Sequence, residues 1–151
     1  MRTIPIVLLV LLFLAQPAWS SADSRIPSEW YDRARSDLEV AELVFERKVH
    51  PPTVCFHAHQ AVEKLLKGLV IEHGRTPDQI HETARFVHDL TLVQPQMEIL
   101  LPAAGALDRF YISSRYPKQG GPQIGRAEAE QCLTLAKPFF YLVEGKVSAR
   151  M

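Results

Sequence analysis

From Trp30 onward, apolar residues recur along this chain at steps of three and four. Trp30, Ala34, Leu38, Ala41 and Phe45 mark one face of a helix from about Glu29 to Lys48, with Ser28 in the position of an N-cap. Pro51 and Pro52 end that pattern and suit the opening turn of a second helix, because proline is tolerated in a first turn but not inside. The second helix reads from about Thr53 to His73, with Gly74 placed as its C-terminal cap. At 100° per residue, Cys55, Ala58, Val62, Leu65, Leu66 and Leu69 share one side. Gln60, Glu63, Lys64 and Lys67 fall on the opposite side, and a row of this kind is expected to face outward.

A turn at "RTPDQ" leads to a shorter helix, about Glu82 to Leu92, which Pro95 closes. From Gln96 to Ser114 a fourth helical stretch presents Ile99, Leu100, Ala103, Ala106, Leu107, Phe110 and Tyr111, and Pro102 is expected to bend or split it. "RYPKQGGPQIG" is a long loop. The last helix, about Arg126 to Lys146, shows Ala129, Cys132, Leu133, Ala136, Phe139, Phe140 and Val143, and its internal Pro138 predicts a kink. No segment after Ser28 alternates as a strand would. The pattern predicts an all-α antiparallel bundle of four to five helices over residues 28–147.

The first 22 residues break this regime. Arg2, an apolar run from Ile4 to Ala15 and small residues around Ala18 to Ala22 have the layout of a secretory signal peptide, with a cut expected after Ser20 or Ala22. The run is shorter than the roughly 20 residues a spanning helix needs, so no stable membrane span is expected after processing. Two locations follow. The protein is exported or periplasmic if the signal acts, and cytoplasmic if the true start lies downstream, near Ser24 to Ser28.

Composition narrows the function. The 151 residues suffice for one domain, and 17 Lys plus Arg balance 17 Asp plus Glu. That neutrality argues against holding nucleic acid through a broad positive field and leaves only a local patch. Cys55 and Cys132 each lie among apolar residues at helical spacing and read as two small core residues, with their pairing left open. His57 and His59 point about 200° apart on a helix, so one ion cannot take both. His73, His81 and His88 lack carboxylates at ligand spacing, and no metal or cofactor is expected.

The order of motifs carries a resemblance. Trp30, Ala34, Asp37, Leu38 and Ala41 precede "FHAHQAVEKLLKGLV", then "HDL" at His88 to Leu90, then "SRYP" at Ser114 to Pro117. This series resembles the HEPN family, the higher eukaryotes and prokaryotes nucleotide-binding domain. The resemblance implies long antiparallel helices, frequent homodimers, and genes often placed beside a nucleotidyltransferase as a toxin–antitoxin pair. It also implies that some members cut RNA while others only bind.

RNA-cutting branches carry an Arg and a His a few residues apart near the start of a late helix, where His moves a proton and Arg holds the phosphate. Here Arg75 and His81 alone match that spacing, and they lie in the turn after the second helix instead. Lys64, Lys67 and Arg115 are expected to converge near the "RYP" loop, with Gln60, Glu63 and Tyr116, to receive a phosphate or an acidic partner surface. The plainer alternative is a solvated helix face with weak ion pairs at four-residue steps. Phe110, Tyr111 and Tyr116, near Arg109 and Arg115, suit base stacking, although Phe110 and Tyr111 sit at core spacing. The sequence therefore reads as a non-catalytic, dimeric binding module for a nucleotidyltransferase-type partner or a nucleotide. The alternatives are a metal-independent RNA-cleaving toxin, and an exported helical protein that has lost the family role.

Overall fold

The computed structural model of the chain describes residues 23–117 and 123–149. The signal-like segment lies outside the described residues. Among the described residues there are six α-helices and no strand: α1 Pro27–Glu46, α2 Pro51–Glu72, α3 Thr83–Thr91, α4 Leu101–Asp108, α5 Phe110–Ser113 and α6 Arg126–Ala149. A 3-10 helix, Pro95–Leu100, precedes α4. No helix among the described residues is long and apolar enough to cross a membrane.

Local chemistry sets the helix ends. Helix α1 starts at Pro27, so Ser28 lies inside its first turn and makes no side-chain cap. Pro51 and Pro52 open α2 as expected. Gly74 closes it with a φ of 70°, its N–H donating to Ile71 and that of Arg75 to Val70, which is a Schellman ending. The same pattern ends α1, with Lys48 N–H on Phe45 and Val49 N–H on Val44, but a lysine holds the left-handed position, φ 57°. The fourth stretch splits where Pro102 enters the first turn of α4, since proline cannot continue the preceding hydrogen bonds. Helix α6 continues through Pro138.

Helix α2 is the centre of the bundle and packs against α1, α3, α4, α5 and α6. Its buried residues run all the way round, from Val54 and Cys55 to Val70 and Ile71. Gly68 lets α1 approach closely: a Cβ there would stand 2.5 Å from Tyr31 Cε1. Cys55 and Cys132 are both fully buried, as their spacing predicts, and they form a disulfide joining α2 to α6.

Candidate functional site

The central position of α2 reverses one expectation. Glu63 and Lys67 do not face water: both are buried, and Lys67 Nζ donates to Glu63 Oε1 at 2.8 Å. The ammonium also lies over the rings of Trp30 and Phe86, at 5.9 and 5.8 Å from their centres. A lysine on one turn of a helix reaches the glutamate of the previous turn, and aromatic neighbours replace part of the lost hydration. Gln60 donates to Glu63 Oε2 at 3.2 Å, and half-buried Lys64 is paired with Asp37 of α1. Asp37 also takes His57, Nδ1 to Oδ1 at 2.8 Å.

Arg115 likewise has internal partners. Its guanidinium carbon lies 3.8 Å from the ring centre of Tyr111 and 4.7 Å from that of Phe56, and Nη1 donates to the Tyr111 carbonyl. Lys64, Lys67 and Arg115 are thus each engaged by separate groups, in place of the expected convergence on one open phosphate site. Tyr116 is exposed at the end of the segment, its N–H closing a turn on Ile112.

A different site emerges around His81. Its Nδ1 lies 3.1 and 3.2 Å from the two oxygens of Glu63, and its ring stacks on Tyr111 at 5.1 Å and 22°. Phe56, Arg115, Tyr111 and His81 therefore form a chain of successive ring and guanidinium contacts. The imidazole at its outer end has 53% of its side chain exposed. It borders a cleft of about 740 Å³ lined by His81, Arg85, Asp108, Arg109, Tyr111 and Ile112. Arg75 makes a separate contact, Nη1 to the Asp89 carbonyl at 3.4 Å.

Asp108, at the end of α4, lines the cleft. It accepts from Thr83 N–H at 2.8 Å, Ala84 N–H at 3.0 Å and the Thr83 hydroxyl at 2.8 Å, so it caps the start of α3 from another helix. Its Oδ1 also lies 3.1 Å from Nε2 of the fully buried His59. Burial alone would push the Asp108 carboxyl up; the bonds from His59, Ala84 and Thr83 outweigh it and hold its pKa below the ordinary carboxylate value. The second nitrogen of His59 has no hydrogen-bond partner and lies 3.8 Å from Glu63 Oε2. Among the described residues, no group of three or more His, Cys, Asp and Glu side chains is arranged to hold a metal ion.

Sequence reasoning named His81 but missed Asp108, Arg85 and Tyr111 as its company, because its carboxylate partner comes from α2, eighteen residues away. The signal available was the all-round apolar character of α2, in which Ile71 falls inside the supposed polar side and Gly68 and Ala61 flank it.

Comparisons with known proteins agree with this architecture. No curated protein shows a significant match to the chain. The crystal structure of TT1696 from Thermus thermophilus is similar with a TM-score of 0.68 and 33% identity, covering 80% of this chain and 97% of that one. ST0689, an archaeal HEPN homologue, shares the fold at a TM-score of 0.64 and 24% identity, covering 81% of this chain and 98% of that one. The family model for the HEPN domain matches residues 27–146, from the first turn of α1 into the last turns of α6. With the ordered motifs, the helical bundle and this match in agreement, the chain belongs to the HEPN domain family.

Proposed function

We propose that the protein is a non-catalytic HEPN-type binding module that takes a nucleotide in the cleft beside His81. The base stacks on the outer face of the imidazole, and Arg85 and Arg109 hold the phosphate. The observation that carries this reading is the chain of contacts Phe56–Arg115–Tyr111–His81, which ends in a half-exposed ring on a cleft flanked by two exposed arginines. Glu63 fixes that ring from behind, so stacking on it costs little side-chain freedom. Arginine supplies fixed charge and paired donors for phosphate. Calorimetric titration of AMP, and separately UMP, into the full chain tests the reading. His81→Ala is expected to weaken binding about tenfold or more, the usual worth of a stacked base, while His81→Phe keeps most of it. Binding indifferent to His81→Ala, or none by either nucleotide, overturns it.

One observation favours the second reading, RNA cleavage. A histidine held by a carboxylate on one nitrogen and open to a cleft has the form of an acid–base group. Incubation with total RNA separates the two readings. Cleavage abolished by His81→Ala supports catalysis; RNA that stays intact removes it.

A further inference from the structure

We propose that this protein folds and acts in an oxidising compartment outside the cytosol, and that the Cys55–Cys132 disulfide fastens its last helix to the bundle. The proposal is independent of the nucleotide reading and goes beyond it, because it puts the ligand of the cleft outside the cytosol.

Two unrelated observations point the same way. The first is the disulfide itself, since such bonds persist in oxidising compartments and are reduced in most cytosols. The two residues are the only cysteines in the sequence, so oxidation has one intramolecular outcome and no competing pairing. The second is the start of the chain: Arg2, the apolar run Ile4 to Ala15, and the small residues near Ala18 to Ala22. The buried residues of the described core run from Ala34 to Val143, downstream of either expected cut. Either expected cut, after Ser20 or Ala22, also keeps the contacts of Asp23 with Gln79 and of Arg25 with Thr76.

The position of the bond explains its use. In the first half of α6 the buried residues are Ala129, Cys132, Leu133 and Ala136, mostly small side chains with little apolar area to bury. The large buried anchors, Phe139 and Phe140, come only after Pro138. A covalent bond at Cys132 holds the half of α6 whose buried side chains are mostly small. Its formation removes one hydrogen from each thiol: the Sγ–Sγ bond forms, and the two electrons and two protons pass to a disulfide-bearing oxidant, which leaves as a dithiol.

The test is expression of the full chain with its own N-terminus in a bacterial host, followed by cell fractionation, thiol alkylation under denaturing conditions and intact-mass measurement. The expected product lies in the extracytoplasmic fraction, begins at Ser21 or Asp23, and takes up no alkylating reagent until reduced. A chain that retains Met1 in the cytosolic fraction, or a processed chain with both thiols alkylated, overturns the proposal. Hydrogen exchange on the purified mature protein tests the fastening separately. Reduction is expected to speed amide exchange across residues 126–136 at least about tenfold relative to α2. Equal protection in the two redox states refutes that role.

Discussion

If Glu63 and Lys67 form a buried pair, removing one partner must cost far more than removing both. The two side chains are only 5% and 8% exposed and lie 2.8 Å apart. Breaking a buried pair leaves one charge uncompensated and costs about 3–5 kcal/mol, whereas exchanging both for apolar residues of similar size is often close to neutral. Glu63→Leu and Lys67→Met are therefore each expected to lose about 3–5 kcal/mol, and the double variant to recover most of that loss. With a urea slope of about 2 kcal/mol per molar, each single change lowers the midpoint by roughly 2 M. Trp30, whose ring lies against the Lys67 ammonium, supplies the fluorescence signal. A solvated row on an exposed face makes the opposite prediction: single losses of at most about 1 kcal/mol and no recovery in the double variant. That result would refute the burial argument and restore the outward-facing stripe.

Three further outcomes follow from the geometry. Asp108→Asn is expected to lose about 1–2 kcal/mol near neutral pH as the α3 cap weakens. Because the folded pKa of Asp108 lies below its ordinary value of 3.8, its contribution is complete above that value and disappears as pH falls through the lower folded value. The variant should thus show a flatter acid limb in pH-dependent unfolding. Gly68→Ala should destabilise by about 1–3 kcal/mol in thermal melts, since its Cβ would strike Tyr31 and disturb the Tyr31 hydroxyl bond to Glu72, and the cost should fall in a Tyr31→Ala background. Lys48→Gly should raise stability by about 1 kcal/mol in the same assay, by relieving a left-handed lysine.

Much of the bundle was legible because a helix writes its buried face into the sequence every three or four residues. The buried positions Ala34, Ala41, Cys55, Leu66, Cys132 and Phe139 all lie on faces that periodicity picks out. The HEPN resemblance rested on ordered motifs and is borne out by the family match. What failed was the inference from residue type to exposure. Glu63 and Lys67 satisfy each other one turn apart, and this lets charge occupy a helix that is covered on all sides. The cleft was hidden for a related reason. His81, Asp108 and Tyr111 come from three segments, and no local pattern records that Glu63 will reach the first or that Asp108 will reach Thr83.

That last contact bears on how the molecule assembles. Helix α3 has nine residues and no capping side chain of its own, fewer than an isolated helix needs to persist in water. Its first turn is completed only when Asp108 arrives from the far side of the 3-10 segment. The stretch Thr83–Thr91 is therefore conditional structure that coils after its neighbour has docked, and a lesion at residue 108 should surface in the refolding rate of a helix that begins twenty-five residues earlier.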